Sequence, residues 1–132
     1  MGSEINMNYL YVAIGGAIGS VFRYFMMNLV GYCLGNNFPY ATIFVNISGS
    51  LIMGLLIGWL ANNMPANSNE IRIFLAVGVL GGYTTFSSFS LDAINLLQNG
   101  KLLAMTLYIT SSVMLSLAGY MAGIYLIKLS SG

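Results

Sequence analysis

Histidine is absent from these 132 residues, cysteine occurs once (Cys33), and only 5% of the side chains are charged. About a quarter of an average soluble domain is Asp, Glu, Lys or Arg, so a water-soluble fold of this size would have almost nothing to cover its surface with. A single cysteine excludes a disulfide framework. The lack of His/Cys clusters excludes a zinc site, and a net charge of +1 offers nucleic acid no basic patch. With no metal cluster and no nucleophile beside a base, an enzyme is the least favoured class. What the chain has in abundance is apolar surface, at 58% of its residues. Long apolar stretches with few charges mark helices that satisfy their backbone polar groups internally in lipid, so the chain reads as an all-α integral membrane protein.

The seven charges (Glu4, Arg23, Glu70, Arg72, Asp92, Lys101, Lys128) and the polar breaks leave four apolar segments, at about 9–34, 40–62, 71–97 and 102–127. Each is near or above the ~20 residues that cross a ~30 Å hydrocarbon core. Turn chemistry separates them: Gly35 to Pro39, Asn63 to Asn69 around Pro65, and Gln98-Asn99-Gly100-Lys101. These connections hold no second domain, so residues 1–132 are expected to form a single four-span unit. The first span has no basic leader and no cleavage site, and reads as a retained helix. Met1 to Asn6 reads equally as native sequence or as an expression remnant ahead of a start at Met7.

Four spans put both termini and the Asn63 to Glu70 loop on one side, marked by Arg72 and Lys128, and leave Lys101, joined by Arg23, to mark the other. Lys/Arg bias in short loops sets orientation, and here it is close to zero. Two readings stay open: a weakly encoded but unique orientation, or dual topology with copies pairing antiparallel. Small residues recur at four-residue spacing (Gly15/Gly19, Gly31/Gly35, Ser50/Gly54/Gly58, Gly78/Gly82, Gly119/Gly123), the pattern that lets helix backbones approach closely in lipid. Four helices have too little circumference to enclose a water-lined path, so a transporting unit would be an oligomer.

The third span holds Gly81-Gly82-Tyr83-Thr84-Thr85-Phe86-Ser87-Ser88-Phe89-Ser90 in the middle of an apolar run. Paired glycines and clustered hydroxyls at bilayer depth point to a broken helix, since non-helical backbone is tolerated there only inside protein or along a cavity. The alternative is a kinked helix whose hydroxyls bond back to the i−4 carbonyl. A phosphate loop is excluded because no Gly-Lys-Ser/Thr follows. The second span places Thr42, Asn46 and Ser50 four residues apart, and the fourth repeats this with Tyr108, Ser112, Ser116 and Tyr120, giving each helix a polar stripe. Amide and hydroxyl groups donate hydrogen bonds, and aromatic rings carry a positive edge. Phe86 and Phe89, at i and i+3, can turn such edges towards a small hard anion, and weak multi-site binding is what conduction requires.

These residues resemble the small bacterial fluoride channels of the CrcB, or Fluc, type, over essentially the whole chain from Met7. The resemblance rests on Gly15 to Tyr24 in span one, Thr42 to Ser50 in span two, and Gly81 to Ser90 followed by Asp92 in span three. It implies a multi-pass protein of the bacterial inner membrane that exports cytoplasmic fluoride passively. It also implies an antiparallel dual-topology homodimer with two pores and a structural Na+ held by carbonyls of the broken third helices. Asn46, Phe86 and Phe89 then correspond to pore residues, Tyr108, Ser112 and Ser116 to the polar track, and Gly81 and Thr84 to the sodium site. Thr42, Ser87 and Ser88 are added to the fluoride path, and Arg23 with Asp92 to the vestibule. The family often has Glu where Asp92 stands, and Tyr83 fills a variable position. Arg23 and Asp92 cost ~2.5–3.5 kcal/mol each near a span centre on insertion scales, so they are expected to face water, a partner or each other. A negative-inside potential supplies ~2.3 kcal/mol per charge per 100 mV for outward anion flow.

Two rival classes remain. A small four-span proton-coupled exporter of the multidrug type usually carries its carboxylate in the first span, which has none here, so Asp92 would have to serve. A non-transporting tetraspan subunit would give no flux.

Overall fold

The computed structural model describes residues 2–132. Helix α1 (Gly2–Leu34) is followed by α2 (Tyr40–Asn63). Helix α3 is composite: Ser68–Ile71 starts it, Arg72–Leu80 is π-wound, and Gly81–Tyr83 closes it. After a break come α4 (Phe86–Gln98) and α5 (Leu102–Ser131). Joined across the break, α3 and α4 give one of four helical stretches long and apolar enough to cross a membrane: Ile5–Leu34, Tyr40–Asn63, Ser68–Gln98 and Leu102–Ser131. These exceed the expected spans mainly at the first and third starts and at the last end, where residues that include polar ones extend a helix that hydropathy alone cuts short.

Glycine decides how the helices meet. The most extensive contacts join α1 to α3 and α2 to α5. A Cβ placed on Gly15 would lie 2.6 Å from the Phe74 carbonyl oxygen, and one on Gly82 would lie 2.6 Å from that of Gly16. Gly54 and Gly123 stand equally close to the backbones of α5 and α2. Side chains here would push the helices apart, and close backbone approach is the main source of helix attraction in lipid. The Gly31/Gly35 pair behaves differently from its spacing. Gly35, at φ +81, ends α1 with its N–H on the Gly31 carbonyl at 2.9 Å. It is a left-handed cap instead of a packing position.

The outer faces stay apolar: Val21, Tyr24, Leu103 and Leu129 are exposed, as lipid contact allows. The interior is small. Tyr108 and Val45 are its largest fully buried side chains, and Tyr108 with Ala93 and Leu96 anchors a cluster joined by Phe38 and Phe89.

Candidate ion-conducting site

The helix of the third span stops at Thr84 and restarts at Phe86. Thr84 (ψ 158) and Thr85 (φ −149, ψ 117) are extended, which leaves backbone groups without helical partners at mid-span. Asn46 of α2 supplies them. Its Nδ2 donates to the Thr85 carbonyl at 2.9 Å, and its Oδ1 accepts from the Thr85 N–H at 2.8 Å. One side-chain amide thus satisfies both polar groups of a buried residue. Thr85 in turn caps α4, its Oγ1 accepting from the Ser88 N–H at 3.1 Å. Sequence spacing did not single out Thr85; its place three residues after a glycine pair and three before Ser88 is the signal that would have found it.

Two donors are thereby diverted from the helix ladder. The Thr85 N–H would ordinarily serve the Gly81 carbonyl and the Ser88 N–H that of Thr84. With both given elsewhere, those two carbonyls lose their i+4 partners. The kinked-helix alternative survives only locally, in back-bonds from Thr84 Oγ1 to the Leu80 carbonyl and from Ser90 Oγ to that of Phe86, both at 3.0 Å.

Below the break lies a cavity of about 480 Å³ between α2, α4 and α5. Its wall includes Asn46 and Ser50, Phe86 and Phe89, and Ser112 and Ser116. Three stripes read separately from the sequence therefore meet here. Thr84 and Tyr120 also line it, whereas Ser87 and Ser88 do not. Ser87 turns its hydroxyl to Thr85 Oγ1 at 3.3 Å. Among the described residues no charged side chain is on the wall, and the amino end of α4 adds the positive end of its dipole. Ser112 is 5% exposed, and its Oγ has no hydrogen-bond partner among the described residues. A buried serine in a helix ordinarily bonds back to the preceding turn, so this hydroxyl stands uncommitted at the cavity. The rings of Phe86 and Phe89 are 5.4 Å apart at 42°.

Thr42 and Tyr108 leave their stripes for a second cluster. Thr42 Oγ1 donates to Asp92 Oδ2 at 2.6 Å, and the Tyr108 hydroxyl donates to the same oxygen at 3.0 Å. The carboxylate is thus held by neutral donors from α2 and α5. Asp92 borders a second cavity of about 440 Å³, towards the loops, shared with Thr42, Asn36, Asn95, Asn99 and Lys101. Arg23, expected beside it, lines neither cavity as drawn by the described residues; Met27, one turn further along α1, lines the second.

Mid-span donors, an uncharged wall and a broken helix are the architecture of an ion path, and the sequence comparisons name the family. Residues 10–124 match the family described as CrcB-like protein, Camphor Resistance (CrcB). The chain belongs to the CrcB family. It is similar to the protein called Fluoride-specific ion channel FluC in Rhodopseudomonas palustris (strain BisB5), with 48% identity over 92% of this chain and 98% of that one. The FluC of Agrobacterium fabrum is 49% identical over 91% of this chain and 95% of its own length. For the FluC of Rhizobium meliloti the identity is 47%, over 92% and 98%. The segments on which the resemblance rests include the places where the geometry is most specialised, at Asn46, at the break and along the Phe86/Phe89 turn.

Proposed function

We propose that this chain is one subunit of a fluoride-selective channel that lets cytoplasmic fluoride leave a bacterial cell down its electrochemical gradient, across the inner membrane. The observation that carries the reading is the mid-span cavity, where neutral donors and the Phe86 and Phe89 rings line a space that no charged residue among the described ones borders. Fluoride is small and strongly hydrated, so its path must replace water by donors without trapping the ion on a Lys or Arg. Ser112, Ser116 and the amide N–H that Asn46 keeps after clamping Thr85 are such donors, with Phe86 and Phe89 bridging between them. The relatives called fluoride-specific ion channels support the choice of ion.

The working unit in this reading is an antiparallel, dual-topology homodimer. Phe86 supports it: the side chain lines the cavity yet is 78% exposed in one chain, so a second copy would close the open wall. Near-zero loop charge bias permits both orientations. The carbonyls of Gly81 and Thr84, freed of helical donors, suit a hard monovalent cation, and two such pairs would repel each other unless one sat between them. A structural Na+ held by those carbonyls would neutralise that repulsion and join the subunits. Ser87 and Ser88 act in this account on the shape of the break and Arg23 on the aqueous approach.

Expression of the chain in bacteria stripped of fluoride export tests the proposal. Growth in fluoride should be restored by the parent and by Phe25→Ile, which lies outside the motif. Phe86→Ile and Phe89→Ile keep apolar bulk without the positive ring edge and should fail to restore it. Rescue by both motif variants at parental expression would make the two phenylalanines packing residues.

A further inference from the structure

The loop between α1 and α2 contributes an aromatic ring that sequence spacing passed over. Phe38 precedes Pro39, whose φ −77 and ψ 59, with the Tyr40 N–H donating to the Phe38 carbonyl at 2.8 Å, define an inverse γ-turn. Proline fixes φ, so the direction of Phe38 is set by the chain itself. The turn brings the Tyr40 ring to 5.0 Å from that of Phe38. On its other side the Phe38 ring meets Tyr108 at 5.7 Å and 85°, an edge-to-face contact, while Tyr108 stacks on Phe89 at 5.4 Å and 27°. The rings of Phe86, Phe89, Tyr108 and Phe38 therefore form one continuous ladder. Phe86 and Phe89 line the inner cavity, and Phe38 lines the outer one. Tyr108, fully buried between them, is the partition, and its hydroxyl is committed to Asp92.

We propose that Phe38 is a positioning residue of the conduction path. Pinned by the Pro39 turn, it holds the Tyr108 ring flat on Phe89 with its hydroxyl on Asp92, so that the partition between the two cavities keeps a fixed shape. Phe38 acts through Tyr108 and makes no contact with the ion. A leucine in its place fills similar space without the edge-to-face contact, and Tyr108 gains room to tilt off both Phe89 and Asp92. The role rests on the fluoride reading for its effect on flux, and on ring geometry alone for its effect on Tyr108.

Two measurements on the purified full-length protein test it. In fluoride efflux from liposomes, Phe38→Leu should lower flux roughly two- to tenfold, the worth of one aromatic pair. Phe38→Trp should restore most of it, and the loss should largely vanish in a Tyr108→Phe background, because both changes act through one hydroxyl. Parental flux in Phe38→Leu, or losses that multiply with those of Tyr108→Phe, would overturn the role. The second measurement does not need conduction. With 3-fluorotyrosine at position 108, the fluorine resonance should shift or broaden in Phe38→Leu and return in Phe38→Trp. An unchanged resonance would overturn the positioning role even in an active channel. A protein that shows these changes yet passes no fluoride would refute the fluoride reading and leave the ring geometry standing.

Discussion

At the scale of single residues, the site separates groups that hold the structure from groups left free for an ion. Asn46 belongs to both sets: three of its four hydrogen-bonding capacities matter to different ends, one N–H and the carbonyl oxygen to the Thr85 peptide and the other N–H to the cavity it lines. Asn46→Asp would therefore harm more than an anion's passage, since a carboxylate oxygen would face the Thr85 carbonyl. Ser112 is the cleaner probe. Its hydroxyl is buried without a partner among the described residues, an arrangement that costs stability. Ser112→Ala should accordingly leave the thermal midpoint in detergent unchanged or raise it, while lowering fluoride flux in liposomes by about tenfold. A lowered midpoint with parental flux would mean that Ser112 is a structural residue whose partner is something other than the conducted ion.

At the scale of elements, the central feature is the break between α3 and α4. Thr85→Val keeps the shape of the side chain but removes the acceptor for the Ser88 N–H. It should cost about 1 kcal/mol, read as a lower thermal midpoint with unchanged helix content by circular dichroism; an unaltered midpoint would show that α4 starts without this cap. Four spans were legible because apolar run length is a local property of sequence, and a break in the third was legible from Gly81-Gly82 and the hydroxyls. Its position was not. Gly82 serves the crossing with α1, where it meets Gly16, while the backbone departs two residues later because an amide 39 positions upstream receives the Thr85 peptide. The π-winding of Arg72–Leu80 leaves no trace in hydropathy. Periodicity likewise placed Thr42 and Tyr108 with their stripes, but a carboxylate brought near by the fold draws both hydroxyls away. Gly35 fits a packing repeat by spacing and ends a helix in fact, because Asn36-Asn37 and Pro39 follow it.

At the scale of the whole molecule, one chain supplies two tightly crossed helix pairs and a cavity whose Phe86 wall is open. Loop charge gives orientation little bias, so copies should insert both ways. Cysteines introduced at Asn36 and at Asn67, in a Cys33→Ala background, should each be labelled by an impermeant thiol reagent from both faces of the membrane. One-sided labelling at both positions would rule out dual topology. The central claim, that an uncharged mid-span path of donors and ring edges conducts fluoride passively and selectively, is tested most directly by anion efflux from liposomes holding the purified protein. Loaded with equal fluoride and chloride and released by a potassium ionophore, the vesicles should lose fluoride rapidly and retain chloride, with the same rate when proton gradients are collapsed. Equal loss of both anions, loss of neither, or fluoride loss that stops with the proton gradient would contradict it.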